Sequence, residues 1–298
     1  MKPYFFTDLA YEAYHFSQNR GVRTKEYRGG DRGELQLLEM HIENPEQAKR
    51  YRRPCGCYLT VLSDKIWCMD EESFHSLSRT LSYELWQRLE PMLFTDATKG
   101  NTVLVAGLGN AAFTVDAVGP RTVSLLNVTR HVTQKSAAIK IAAMSPGVPA
   151  DTGMEAAEQI RGVAQSIGAR AILAVDSLAA SDFARLGATV QIADSGICPG
   201  SGVGNARKAI TEETMGVPVL AIGVPTVVDC ATILWDAIRC AKDAKISARM
   251  EDVIRSYRGS FVCPKESDWI TQSVSLLLAS AIDRLGGISR EDSAYSEA

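Results

Sequence analysis

Residues 102–120 read TVLVAGLGNAAFTVDAVGP, and residues 171–182 read AILAVDSLAASD. Each opens with a short, unbroken apolar run, the mark of a strand buried on both faces. Each then turns at small residues and soon reaches an aspartate. Further apolar runs at Lys140–Met144, Thr189–Ala193 and Val219–Ile222 predict three more strands. Between them, apolar residues recur at three- and four-residue spacing over Met154–Ser166, Val228–Ala241 and Asp268–Leu285. A further helix is expected after the glycine turn, reaching His131. Strands alternating with helices predict an α/β fold, a mostly parallel sheet sandwiched by helices.

Upstream of Thr102 the character differs. Strands are expected near Leu35–Ile42 and Tyr58–Leu62, and a helix over Ser73–Leu93. Charged stretches lie at Arg20–Arg32 and Lys49–Arg53; the basic cluster Lys49–Arg53 reads as a solvated face, and the extreme N-terminus as frayed. Residues 9–100 thus form an N-terminal β/α extension on a core of 101–285, together one domain. The polar tail 286–298 reads as mobile.

Composition narrows the function. The chain has 298 residues, 46% hydrophobic and 22% charged, which excludes disordered, collagen-like and coiled-coil classes. A net charge of -3 offers no general attraction to nucleic acid. No apolar run approaches the roughly 18 residues of a membrane span. The opening MKPYFFTDLAYEAYHF lacks the unbroken apolar stretch of a leader, so a cytoplasmic chain is expected. Seven cysteines, an odd number in a chain read as not exported, argue for free thiols. Cys55-Gly56-Cys57 has no second pair to complete a zinc site.

Ligands of open α/β sheets gather at the carboxyl ends of the strands. Four aspartates follow the predicted strands: Asp116, Asp176, Asp194 and Asp229. Asp229 precedes a helix and suits a cap; Asp194, before Ser195-Gly196, suits an Asx turn or a substrate loop. Asp116 and Asp176 lie 60 residues apart behind different buried strands. If those strands are neighbours, the two carboxyls converge. Such a pair shares a proton and can serve as base and acid on a water molecule, or it can hold a divalent metal. Gly107-x-Gly109-x-x-Ala112 satisfies a loose dinucleotide fingerprint, but Gly119-Pro120 interrupts the helix it requires. No nucleotide cofactor is expected. Gly109, Asn110, Gly202 and Asn205 sit in turns suited to receiving a peptide backbone.

The motifs VDAVGP, NVTRHV, AVDSLAA, ADSGICPGSGVGNARK and GVPTVVDCATI, in that order, resemble the germination proteases of spore-forming bacteria. TDLAYEA, CYLTV and CPKESDWI extend the likeness over most of the chain. The resemblance implies an atypical aspartic endopeptidase with a fold similar to that of the hydrogenase maturation proteases and no cofactor. It implies small acid-soluble spore proteins as substrates, the spore core as location, and a homotetramer. It carries the catalytic pair onto Asp116 and Asp176. It also implies a zymogen that trims its own N-terminus, with the cut between Asp8 and Leu9 of Thr7-Asp8-Leu9-Ala10 and residues 1–8 as the prosegment. Cys198 stands where the family pattern has histidine. A metal-dependent protease of the maturation type, acting on one protein partner, is the alternative.

Overall fold

The computed structural model describes residues 6–17, 21–94, 100–132, 139–199, 207–240 and 247–287. Gly202, Asn205 and the tail from residue 288 lie outside them.

One nine-stranded sheet runs through the chain: β1 (Arg23–Gly29), β2 (Leu35–Ile42), β3 (Gly56–Leu62), β4 (Thr102–Gly107), β5 (Lys140–Met144), β6 (Ala171–Ala180), β7 (Thr189–Ala193), β8 (Val219–Asp229) and β9 (Phe261–Val262). The order across it is β1-β2-β3-β7-β8-β6-β4-β5, with β9 on the far end of β8. The strands β8, β6, β4 and β5 pair parallel, as the strand–helix alternation implies. The β1-β2-β3 meander joins antiparallel through β7, so the N-terminal extension widens the core's own sheet.

Helices cover both faces. Alternate strand residues point to opposite sides. Val103, Val105, Leu173, Val175, Leu220 and Ile222 meet α3 (Glu71–Leu93), α4 (Val118–Leu125) and α10 (Ser267–Leu285). On the other face Leu104, Ala106, Ile172 and Ala174 meet α6 (Ala156–Ile167). Leu38, Met40 and Tyr58 there meet α1 (Ala10–Phe16) and Tyr51 of α2 (Pro45–Tyr51).

The N-terminus is not frayed from residue 6 onward. Ala10, Ala13 and Tyr14 of α1 are buried, and the Glu12 carboxylate accepts from Ser181 N–H at 2.8 Å and Asp182 N–H at 3.1 Å. That pair of bonds ties α1 to the turn that follows β6. Within the charged stretch Arg20–Arg32, Arg23–Gly29 forms the edge strand β1, which the sequence did not predict. Its charged residues suit an exposed edge, where they oppose pairing with other chains. The helix after the glycine turn ends at Leu125 and does not reach His131; Thr129 and Arg130 instead donate backbone N–H to Ile141 O.

Candidate active site

β6 outruns its neighbour. Gly107, the last residue of β4, pairs with Val175, so Asp176 is the first β6 residue beyond the end of β4. The chain moves from β4 to β5 on one side and returns to β6 on the other. The notch between β4 and β6 is therefore a topological switch point, where such sheets bind ligands. Here the strand does not stop at Val175, as the sequence suggested: Ser177 to Ala180 continue it, because β8 pairs with them.

Asp116 reaches the notch on a short 3-10 turn, Thr114–Asp116, after β4. Glycines let three backbones meet there. Gly109 has φ +111, and a Cβ on it would collide with the Asp116 carbonyl oxygen. Gly119 lies against Leu108 and Val175 with no room for a side chain. Neighbouring elements then pin the turn through its carbonyls. Thr226 of β8 donates its hydroxyl to Val115 O at 2.6 Å, and Thr271 and Ser275 of α10 donate theirs to Thr114 O and Val118 O.

Thr226 is buried. Thr226→Val keeps its shape but leaves the Val115 carbonyl unpaired. The expected loss is about 1–2 kcal/mol in denaturant unfolding, with Thr226→Ser close to the parent. Equal midpoints for the valine and parent chains would show that the bond does not hold the turn.

Asp116 and Asp176 line one cleft of about 400 Å³ with Leu108, Gly109, Phe113, Val148, Ser177, Leu178 and Arg207. Asp116 is half-buried, and its Oδ2 accepts from Asn110 N–H at 2.8 Å. Asp176 is buried, and its Oδ1 accepts from Ser177 N–H at 2.9 Å. Burial raises the Asp116 carboxyl above the usual carboxylate range, while the Asn110 N–H opposes the rise. Asp176 is raised much further, first by burial and then by the Asp116 charge, with the Ser177 N–H opposing. The Asp116 charge opposes ionisation of Asp176, so of the two carboxyls Asp176 is the one that keeps a proton more readily. The Ser177 hydroxyl beside them has no partner among the described residues.

The other singled-out residues divide. Gly109 lines the cleft and Asn110 holds Asp116 by its N–H. Asp194 lies elsewhere: it is exposed, and its Oδ1 accepts from Cys57 N–H at 2.7 Å at the end of the β3–β7 ladder. Asp229 caps the following helix through Thr232 N–H at 3.0 Å. Cys198 donates to Arg207 O at 3.3 Å. Asp8 docks on β6, giving its N–H to Ala179 O at 2.7 Å and accepting Ala179 N–H on Oδ2 at 2.9 Å. Leu9 is fully buried against Leu178, Ala180 and Val228.

A second cleft, of about 860 Å³, opens beside β2 and β3. Glu39, His41 and Cys57 bring potential ligand atoms within 4.8 Å of one another there. Arg88 already answers that negative charge, donating to Glu39 at 2.8 Å and to Glu84 at 2.6 Å. Burial, with Glu39 second, pushes the Cys57 thiol up to about 11. The group is an ion-pair network closed by a guanidinium.

Sequence reading missed Arg207 and Thr226. Both lie in stretches whose glycines or aspartates drew attention, and neither side chain carries a spacing signal of its own.

A germination protease family model matches residues 9–245. Among individual relatives, the germination protease of Clostridium acetobutylicum is 34% identical over 93% of this chain and 93% of its own length. That of Clostridium tetani is 33% identical over 93% of this chain and 94% of its own. That of Oceanobacillus iheyensis is 37% identical over 78% of this chain and 66% of its own. No helix among the described residues is long and apolar enough to cross a membrane.

Proposed function

The chain belongs to the germination protease family, and from that premise we propose that it is an aspartic-type endopeptidase that cuts small acid-soluble spore proteins as spores germinate. The observation that carries the reading is a single, largely apolar cleft lined by two raised carboxyls from separate stretches of chain. Asp116 is the ionised base and Asp176 holds the proton: each accepts one backbone N–H, but Asp176 is the more deeply buried and also feels the Asp116 charge.

Asp116 takes a proton from water as the water oxygen bonds to the scissile carbonyl carbon. Asp176 gives its proton to the amide nitrogen as the carbon–nitrogen bond breaks. The Asp116 proton then passes through solvent to Asp176, which restores the pair.

On the same reading the chain is a zymogen that trims itself between Asp8 and Leu9, so a carboxylate precedes the cut and an apolar residue follows it. The Asp8 carbonyl accepts from Gln191 Nε2 at 2.9 Å and Leu9 is in the core. Residues 6–9 therefore have to lift off β6 before that bond can meet the water. The mature enzyme works as a homotetramer in the cytoplasm of the spore core.

Incubating the full chain with a small acid-soluble spore protein and sequencing the fragments tests this. New termini after acidic residues are expected, unchanged by a chelator. An intact partner would overturn the reading. Cleavage lost to the chelator and restored by zinc or nickel would move it to a metal-dependent protease. The same spectra show whether residues 1–8 leave.

A further inference from the structure

Among the described residues, the cleft that holds the aspartates contains one other charged residue, Arg207. It is half-buried, and Phe113, Val148, Pro199 and Phe261 line the same cleft. Its backbone is fixed: Arg207 N–H donates to Pro199 O at 3.2 Å, and Arg207 O accepts from Cys198 Sγ. Among the described residues no carboxylate bonds to it, whereas the adjacent Lys208 pairs with Glu158 at 2.5 Å. No ion pair or hydrogen bond among the described residues joins it to Asp116 or Asp176 either.

A guanidinium partly withdrawn from water and left without an anion is poised for one. Its planar fork matches a carboxylate by two parallel hydrogen bonds, and apolar walls strengthen them. We propose that Arg207 reads the substrate, by receiving the acidic side chain of the residue that precedes the cut. The assignment rests on the peptidase reading for its reaction but not for its binding chemistry. Arg207 is then a specificity-determining residue: it touches the substrate while the aspartates handle the protons.

Binding of labelled peptides to the full chain carrying Asp116→Asn tests this without turnover. One octapeptide has Thr-Asp-Leu-Ala at its centre; the other has asparagine for the aspartate. The acidic peptide is expected to bind about 10- to 100-fold more tightly, the worth of a charge-assisted bond in a partly dry site. Adding Arg207→Gln should bring the two peptides to about equal affinity, chiefly by weakening the acidic one. Arg207→Lys should keep part of the preference. Equal binding with Arg207 present, a preference that survives Arg207→Gln, or no measurable binding of the acidic peptide would each overturn the assignment. Cleavage is scored separately on the unsubstituted chain. Acid-selective binding that depends on Arg207, without cleavage of the bound peptide, would retain Arg207 as the reader and count against the peptidase reading alone.

Discussion

Asp116→Asn and Asp176→Asn are each expected to lower kcat/KM on a spore-protein substrate by at least about 10³-fold, in chains that still fold. The two changes remove different halves of one proton transfer. Asparagine at 116 still accepts from Asn110 N–H, so the turn keeps its shape, but it takes no proton from water. Asparagine at 176 keeps the acceptor for Ser177 N–H and has no acidic proton for the leaving nitrogen. In the parent enzyme, kcat/KM should rise with pH as Asp116 ionises and fall again as Asp176 gives up its proton, a bell set by the pair. Stability follows the other side of the same physics. A buried carboxyl whose folded-state pKa lies above its unfolded value contributes stability that is complete at pH values below the unfolded pKa. That contribution fades as pH rises through the folded value. Asp176 is such a group, so removing its charge should leave the variant melting at least as high as the parent at neutral pH. Full activity in either asparagine variant would remove the catalytic pair. A neutral-pH melting temperature well below the parent's would show that Asp176 is a structural group.

The parallel half of the fold was legible because burial on both faces leaves its strands as unbroken apolar runs. TVLVA and AILAV need no alternation to be recognised. β1 was not legible. Its residues Arg23, Lys25, Glu26 and Arg28 satisfy an edge facing water, and the same composition describes a solvated loop. The end of β6 was misjudged for a related reason. Asp176 looks like a terminator, yet its neighbours Leu178, Ala179 and Ala180 are buried, and β8 pairs with all of them. Asp176 is thus a polar residue inside a strand, and its carboxyl pays for that position with a raised pKa. That Asp116 and Asp176 share a cleft depended on β4 and β6 being neighbours, which periodicity does not encode. Asp194 follows a strand just as they do, but β7 runs antiparallel to β8, so its carboxyl end lies at the opposite end of the sheet from theirs. Arg207 shows the remaining gap. It is notable because no carboxylate among the described residues bonds to it, and such an absence has no signature in sequence.

Gly119→Ala is expected to destabilise the chain by about 2 kcal/mol and to cost about 100-fold in activity, although Gly119 lies in a helix where alanine is ordinarily preferred. Its Cβ would lie 2.5 Å from both Leu108 N and Val175 O, and closer still to Leu108 O. These are backbone atoms, so no side-chain rotation relieves the overlap. The three segments can separate only by breaking the bond from Leu108 N–H to Val175 O, 2.8 Å long, which closes the sheet at the head of the notch. Asp116 sits three residues before Gly119 and Asp176 one residue after Val175, so any such separation widens the distance over which the proton pair works. Gly162 in α6 supplies the contrast. Its Cβ would meet nothing within 4 Å, and Gly162→Ala should stabilise by about 0.5–1 kcal/mol through helix propensity alone. Opposite shifts in the two unfolding midpoints, with activity lost only in the first, are the expected result. If Gly119→Ala instead unfolds like Gly162→Ala and retains parental turnover, the close approach of the three backbones is not what fixes the aspartates.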